Sequence, residues 1–134
     1  MELFEKTLSS ETKFDGKVIR VRREIVELPN GVQSFREIVD HSGGVCILAL
    51  DDDNNALLVS QFRSPYKEVL REIPAGKLDS FTEDRLSAAK RELEEETGYT
   101  ADTWIDLGDY YPAAAYCDER ITLYLAKGLH KGAR

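Results

Sequence analysis

The pattern of apolar and polar positions predicts strands in the first part of the chain. Residues 17–28 mix β-branched with charged side chains, and residues 33–40 do so again after a Pro-Asn-Gly sequence at 29–31. Since Asn-Gly tolerates the positive φ angles of a type I′ turn, the two segments are expected to form a hairpin. Residues 11–40 are therefore predicted to be antiparallel strands.

A more buried group of strands is predicted further along the chain. Residues 45–50 form a continuous apolar run, which indicates a strand covered on both faces. Residues 56–62 are expected to pair with it, until Pro65 ends the ladder because proline has no N–H to donate. Residues 121–126 show the clearest strand pattern in the last part of the chain.

One segment, residues 80–97, has the periodicity of a helix. Its apolar positions recur at intervals of three and four and are Leu86, Ala89, Leu93 and Thr97. Ser80 with Glu83 matches a capping box, although Asp84 could equally be the N-cap. Gly98 stands where a glycine commonly ends a helix. Strands, one long helix and further strands together indicate an α+β or mixed-sheet domain.

Length, charge and the few sulfur and imidazole groups restrict the class of protein. The chain has 134 residues, which suits one domain with a single core. Its 18 basic and 25 acidic residues give a net charge of −7, which argues against a nucleic-acid binder. Cys46 and Cys117 are expected to be buried small residues, and His41 and His130 are too isolated to suggest a zinc site. With no signal peptide or membrane-length apolar run visible, a cytoplasmic protein is expected.

Candidate chemistry lies in the last turns of the predicted helix, which carry Glu92, Glu94, Glu95 and Glu96. The negative end of the helix dipole disfavours acids there, and Glu92 with Glu96 is a like-charge pair one turn apart. At about 100° per residue, Glu92, Glu95 and Glu96 share a sector that borders the apolar stripe. Such a cluster suits a hard cation such as Mg²⁺, which would also let an acidic protein bind an anionic substrate.

A solvated acidic helix face is the alternative, because runs of charge usually face water. Such a face would use ion pairs one turn apart, and the helix offers Lys90 with Glu94 and Arg91 with Glu95. The clustering of acids alone leaves both interpretations open.

Residues 91–99, Arg-Glu-Leu-Glu-Glu-Glu-Thr-Gly-Tyr, resemble the second half of the Nudix box, Arg-Glu-apolar-x-Glu-Glu-x-Gly-apolar. Glu83 stands eight residues before Arg91, as in the box, and Gly76 stands seven before Glu83, where the family has six. The extra residue falls in the loop at 78–82, where an insertion is readily absorbed. Three more segments resemble the ADP-ribose pyrophosphatase branch of the family, namely Arg36-Glu37, residues 61–65 and residues 72–77.

The resemblance implies an enzyme that depends on Mg²⁺ or Mn²⁺. Glu92 and Glu96 would hold the metal, with the carbonyl oxygen of Ala75 as an additional ligand. Glu119, in a loop after the box, would be the catalytic base, and Glu95 would support catalysis.

Substrate contacts are implied for three further residues, Arg36, Glu37 and Arg63. The expected role of Arg91 is structural, because it would orient Glu95. The partner that these residues imply is a small nucleotide, with neither nucleic acid nor a membrane involved.

The resemblance also implies a fold, in which the motif helix packs on a mixed β-sheet preceded by N-terminal antiparallel strands. Residues 43–134 would be the core domain, and residues 1–42 would pair two copies in a homodimer without forming an independent domain. Two departures from the family pattern are expected to matter. Residues 113–115 are alanines where the branch often has Ser-Pro-Gly, and the family's C-terminal helix is expected to be absent.

The implied function is hydrolysis of the pyrophosphate bond of a nucleoside diphosphate derivative, with ADP-ribose giving AMP and ribose 5-phosphate. The alternatives are a nucleotide-sugar or (d)NTP pyrophosphohydrolase, and a Nudix-fold sensor that binds ADP-ribose without cleaving it. Loss of box carboxylates would favour a sensor, and none is lost here.

Overall fold

A computed structural model describes residues 2–80 and 82–132, so Phe81 in the predicted helix start and residues 133–134 lie outside the description. The chain forms two compact units. The first contains residues 1–42 and 111–119, and the second contains residues 43–110 and 120–134. The grouping of the 111–119 loop with the N-terminal strands was not predicted from the sequence. No helix in the described part of the chain is long and apolar enough to cross a membrane.

The first unit is a three-stranded antiparallel sheet with the order β1-β2-β3. Its strands are β1 Lys6–Asp15, β2 Ile19–Glu27 and β3 Gln33–His41. Strands β2 and β3 pair without a bulge over their whole length, whereas β1 is exposed at every position. Val26 is the one buried apolar residue among the described positions of this unit, so the sheet has little core of its own.

The connection between β2 and β3 is a hairpin, as predicted, but its turn is of a different type. Gly31 N–H donates to the Leu28 carbonyl, and Leu28 N–H donates to the Val32 carbonyl, both at 2.8 Å. The φ angle is positive at Gly31 (85°) but not at Asn30. This is a type I turn followed by a glycine bulge. Pro29 accounts for the difference, because its ring fixes φ near −65°, the value that a type I turn needs at that position.

The second unit is a four-stranded mixed sheet with one helix packed on it and a separate hairpin. Its elements are β4 Gly44–Ala49, β5 Val59–Arg63, β6 Glu68–Glu72, β7 Ala75–Lys77, α1 Arg85–Thr97, β8 Tyr99–Tyr110 and β9 Ile121–Lys131. The sheet has the order β7-β4-β9-β8, and β5 pairs with β6. Strands β4 and β9 are parallel, and the other pairs are antiparallel.

The predicted pairing of residues 56–62 with β4 is wrong for most of that segment. One bridge joins Leu50 to Ala56, and beyond it β5 pairs with β6. The real neighbours of β4 are β7 and β9, which lie far away in sequence. A continuous apolar run indicates a buried strand but carries no information about its partners. Strand β9, at 11 residues, also extends beyond the segment predicted at residues 121–126.

Helix α1 is bounded by two residues that the sequence analysis named as possible caps. Asp84 is the N-cap, and its carboxylate accepts a hydrogen bond from Ser87 N–H at 2.9 Å. The alternative cap at Ser80 is not used. At the other end, Gly98 has φ 76° and donates its N–H to the Glu94 carbonyl at 2.8 Å, as predicted for a C-terminal glycine.

The core of the second unit lies between α1 and the sheet. It contains Val45, Ile47, Ala49, Leu78, Ala88, Ala89, Leu93, Tyr124 and Ala126. Alternate residues of β4 face the helix, as the pleat of a strand requires. Leu93 is fully buried, so Glu92 and Glu96 are held at the border of the packed face. Cys46 is buried, as predicted, but Cys117 is only partly buried.

Candidate metal and active site

Glu92 and Glu96 lie one turn apart on the edge of α1 that is next to β7. A Cβ atom added to Gly76 would lie 2.2 Å from Cδ and 2.5 Å from Oε1 of Glu92, well inside van der Waals contact. The side chain of Glu92 therefore fills the space that a side chain at position 76 would need, and it is only 17% exposed. A side chain at position 76 would therefore force the Glu92 carboxylate to move.

The backbone of β7 presents Ala75 to the same edge. Ile47 N–H donates to the Pro74 carbonyl at 2.9 Å, and the next pair in the ladder is Cys46 with Ala75. Because hydrogen-bonded and non-bonded pairs alternate between antiparallel strands, both polar groups of Ala75 point away from β4. The Ala75 N–H donates to Glu96. The Ala75 carbonyl, the predicted metal ligand, therefore faces the side on which the carboxylates lie.

Crowding raises the pKa of Glu96, although its side chain is still reached by solvent. Desolvation by the surrounding protein is the largest cause, and the hydrogen bond from Ala75 opposes it. The negative charges of Glu92 and Glu72 raise the pKa further, while Arg63 lowers it. Ionisation of Glu96, which metal binding requires, is therefore unfavourable in the free protein, and a bound cation would favour it.

Arg63 and Glu72, on the hairpin β5–β6, form a bidentate ion pair close enough to Glu96 to influence its pKa. Arg63 Nε lies 2.7 Å from Oε2, and Nη2 lies 2.5 Å from Oε1. The hydrogen bond from Arg63 lowers the pKa of Glu72. The sequence singled out Arg63 as a substrate contact but assigned nothing to Glu72. The structure places Arg63 beside the predicted metal site, where it adds positive charge.

The structure corrects the expected role of Arg91. Its Nη1 pairs with Glu83, and its Nη2 lies 3.4 Å from Oε1 of Glu92. Helical side chains lean toward the N-terminus of the helix, so Arg91 reaches back to Glu83 and not forward to Glu95. Arg91 therefore orients Glu92, while Glu95 is solvent-exposed.

The donors at this edge fit a hard divalent cation. Glu92, Glu96 and the Ala75 carbonyl offer only oxygen atoms, which Mg²⁺ prefers. Within residues 2–80 and 82–132, no three acidic, histidine or cysteine side chains converge closely enough to hold a metal by themselves. A cation here would complete its shell with the peptide carbonyl, water and substrate oxygens, as Mg²⁺ commonly does.

The first unit contains a cavity of about 450 Å³. Its charged and aromatic lining residues are Arg22, Arg36, Glu37, Tyr111, Tyr116 and Asp118. Two predicted substrate contacts, Arg36 and Glu37, therefore share one cavity. Arg36 is held by a bidentate ion pair with Glu5, whose two contacts are 3.1 and 2.8 Å long.

Glu119, the predicted base, lies in the first unit next to His41. Its Oε2 is 3.1 Å from Nδ1 of His41. His130 also contacts a carboxylate, since its Nε2 lies 2.8 Å from Oδ2 of Asp102. These contacts join residues that are distant in sequence, so no local spacing could reveal them.

Comparison with known sequences agrees with a carboxylate helix of this kind. Residues 40–132 match the family described as the NUDIX domain. Residues 5–39 match a family described as the nucleoside diphosphate sugar hydrolase N-terminal domain. The chain belongs to the NUDIX domain family, since that match covers more than half of its length.

Three curated relatives are similar over almost the whole chain. An ADP-ribose pyrophosphatase of Bacillus subtilis (strain 168) is 46% identical over 95% of this chain and 68% of its own length. A methanol dehydrogenase activator of Bacillus methanolicus is 44% identical over the same shares. An ADP-ribose pyrophosphatase of Mycobacterium tuberculosis is 43% identical over 96% of this chain and 62% of its own length. The chain thus spans about two thirds of each relative.

A solved structure supports the fold. The crystal structure of an ADP compounds hydrolase superposes with a TM-score of 0.85 at 23% identity. The match covers 100% of this chain and 73% of the other. The predicted Nudix fold, with one motif helix on a mixed sheet and antiparallel strands before it, is confirmed.

A side chain at position 76 should damage the metal site without unfolding the protein. Gly76→Ala places a methyl group where the Glu92 carboxylate now lies. We therefore expect Glu92 to be displaced and the apparent affinity for Mg²⁺ or Mn²⁺ to fall by about 10-fold or more. Calorimetric titration with the metal measures this, and circular dichroism monitors the fold.

Gly31→Ala is the matched control for this substitution. An added Cβ at Gly31 meets no atom within 4 Å, but φ there is 85°. This variant should lose thermal stability through backbone strain and keep its metal affinity. Unchanged metal affinity in Gly76→Ala would contradict the assignment of Glu92 as a ligand.

Proposed function

We propose that this chain hydrolyses the pyrophosphate bond of ADP-ribose in a reaction that depends on Mg²⁺, giving AMP and ribose 5-phosphate. The observation that carries the proposal is the placement of Glu92 and Glu96 beside the outward-facing backbone of Ala75. ADP-ribose is favoured because two relatives with 46% and 43% identity are named ADP-ribose pyrophosphatases.

Three groups would hold the cation, namely Glu92, Glu96 and the Ala75 carbonyl. When bound, a divalent cation neutralises the charge of a pyrophosphate and makes a neighbouring water more acidic. Arg63, paired with Glu72, supplies additional positive charge near Glu96. These charges would let a protein with a net charge of −7 accept an anionic substrate.

Glu119 is the proposed general base, and it takes a proton from the attacking water. The water oxygen forms a bond to one phosphorus while the bond from that phosphorus to the bridging oxygen breaks. The electron pair leaves with the bridging oxygen, which becomes part of the departing phosphate. One water is consumed for each ADP-ribose, and Glu119 releases its proton to solvent. Glu95, exposed on α1, remains a proposed supporting acid.

The cavity in the first unit supports a nucleotide as the substrate. Tyr111 and Tyr116 offer aromatic surface against which a base can stack. Arg22 and Arg36 offer donors to phosphate oxygens, and Glu37 can accept from an amino group or a hydroxyl. The volume of about 450 Å³ lies within the usual range for small-molecule sites.

Hydrolysis assays with ADP-ribose, nucleotide sugars, dinucleoside polyphosphates and dNTPs test the proposal. We expect the highest kcat/KM with ADP-ribose, loss of activity with a chelator, and recovery with Mg²⁺ or Mn²⁺. A dNTP preferred by tenfold, or about 1.4 kcal/mol, would rule out ADP-ribose as the principal substrate. Tight binding of ADP-ribose without turnover in the presence of metal would indicate a sensor.

Replacing the helix acids by their amides should separate function from stability. Glu92→Gln and Glu96→Gln should each lower kcat by at least about 100-fold, because each removes a ligand charge from the reacting centre. Neither should lower the melting temperature of the metal-free protein, because each relieves repulsion. Glu94→Gln, on the exposed side of the same helix, is the control and should keep full activity.

The Glu96→Gln variant should also have a characteristic dependence on pH. Burial raises the pKa of Glu96, so the folded protein binds this proton more tightly than the unfolded chain. The carboxyl therefore favours folding below its unfolded pKa, and this contribution is lost as pH rises through the folded pKa. The gain in melting temperature from Glu96→Gln should be larger at pH 8 than at pH 4. An equal gain at both values would show that Glu96 ionises without hindrance.

We propose further that the chain works as a homodimer joined through the first unit. Leu8, Phe14 and Phe35 are 40%, 57% and 47% exposed on this thin sheet, and Val26 is its one described buried apolar residue. A three-stranded sheet gains stability when another layer covers its apolar side chains. In such a dimer, the cavity with Arg36 could serve the partner's site.

Light scattering at the assay concentration measures the oligomeric state. We expect a dimer for the wild type, and a monomer with reduced activity for Phe14→Glu and Phe35→Glu. Tyr66→Glu, at a 71% exposed aromatic residue in the second unit, is the matched control and should stay dimeric. A fully active wild-type monomer would refute the proposal.

A further inference from the structure

His41 and Glu119 form a contact that the mechanism above does not use. His41 ends β3, Glu119 ends the 111–119 loop, and Nδ1 lies 3.1 Å from Oε2. The two side chains are 15% and 24% exposed. The other histidine–carboxylate pair, His130 with Asp102, is 63% and 66% exposed. The pair at His41 is therefore shielded within the first unit, whereas the pair at His130 lies on the surface.

The loop that carries Glu119 is attached to the end of β3 by three hydrogen bonds. Val39 N–H donates to the Tyr116 carbonyl at 2.7 Å, and Asp118 N–H donates to the Val39 carbonyl at 3.0 Å. His41 N–H donates to Oδ1 of Asp118 at 2.9 Å. The backbone on the N-terminal side of Glu119 is thus fixed to the strand that ends at His41. What remains to be set is the orientation of the Glu119 side chain.

We infer that His41 is a positioning residue that orients the carboxylate of Glu119 for proton abstraction. The inference rests on the proposed function, in which Glu119 is the base. A carboxylate oxygen accepts hydrogen bonds, so Nδ1 of His41 would be the donor in this 3.1 Å contact. The contact involves Oε2, and Oε1 is the oxygen that we assign to the proton of water.

Positioning of this kind affects the rate more than the binding of substrate. A glutamate side chain has several rotatable bonds and loses much freedom when it is held in one orientation. His41 imposes that orientation in the folded protein before substrate arrives, which favours a reactive geometry. Removing His41 should therefore lower kcat and leave KM nearly unchanged.

The test compares His41→Ala, His41→Asn and His130→Ala in the full chain, on the pyrophosphate substrate that the wild type cleaves best. We expect His41→Ala to lower kcat by about 10- to 100-fold, with KM within about twofold. His41→Asn should recover most of the loss, because its amide nitrogen is the same number of bonds from Cα as Nδ1. His130→Ala, which removes the exposed pair, should match the wild type.

A double-mutant cycle with Glu119→Gln decides whether His41 acts through Glu119. Glutamine cannot take the proton, so His41→Ala should cause little further loss in the Glu119→Gln background. If His41→Ala multiplied the defect of Glu119→Gln by its full factor, His41 would act elsewhere and the inference would be overturned. Activity equal to the wild type in His41→Ala would overturn it as well.

The cycle also separates this inference from the proposed function. Full activity in Glu119→Gln would refute both the role of Glu119 as the base and the role of His41 as its positioning residue. If the wild type prefers a different pyrophosphate compound, the ADP-ribose proposal is refuted. The same mutant cycle on that compound would still decide the role of His41. If His41→Ala has a lower melting temperature than the wild type, His41→Asn with unchanged stability is compared with the wild type instead.

Nuclear magnetic resonance of the imidazole supplies a readout that does not depend on activity. We expect a slowly exchanging Nδ1 proton on His41 in the wild type that is lost in Glu119→Ala. The absence of this proton from the wild type would overturn the inference.

Discussion

The close approach of α1 to β7 is the constraint on which the rest of the site depends. The side chain of Glu92 takes the space that a residue larger than glycine would fill at Gly76. The helix can come this near to the sheet because Ala88 and Ala89 on its buried face are small. Full burial of Leu93 then holds Glu92 and Glu96 at the border of the core. Packing energy, which grows with buried apolar area, maintains an acid pair that repulsion would otherwise separate.

The charges around this edge pair unevenly. Arg91 pairs with Glu83 and Glu92, and Arg63 pairs with Glu72. Among the residues that the structure describes, no ion pair reaches Glu96, and its pKa is raised. A divalent cation would therefore satisfy Glu96 directly, so that metal binding and relief of electrostatic strain are the same event. The raised pKa of Glu96 and the close contact of Glu92 with Gly76 favour a functional acid pair over a solvated face.

Local sequence information was sufficient for the features that local forces determine. Asp84 and Gly98 end the helix because each satisfies backbone groups within one turn. The predicted turn at residues 29–31 is present, but its predicted type was wrong. Pro29 fixes φ at the value for a type I turn, and this restriction outweighed the preference of Asn30 and Gly31 for a type I′ turn. Both outcomes depend on interactions between residues a few positions apart.

Features that depend on distant segments could not be obtained in the same way. The pairing of β4 with β7 and β9, and the contact of His41 with Glu119, join residues whose spacing carries no signal. The predicted contact of Arg91 with Glu95 failed for a different reason. The i,i+4 rule allowed it, but a better-placed acid, Glu83, lay in the direction in which the side chain leans.

The alanines at residues 113–115 show how a loop can be ordered without the Ser-Pro-Gly sequence that the resemblance led us to expect. Tyr116 N–H and Cys117 N–H both donate to the Ala113 carbonyl, at 3.2 and 2.9 Å, so the segment forms a tight turn without that sequence. Alanine restricts the backbone much less than proline does, and such a turn is therefore less rigid by itself. The hydrogen bonds from β3 to residues 116 and 118 supply an external restraint. The proposed base, Glu119, thus owes its position to the end of β3, which also places His41 next to it.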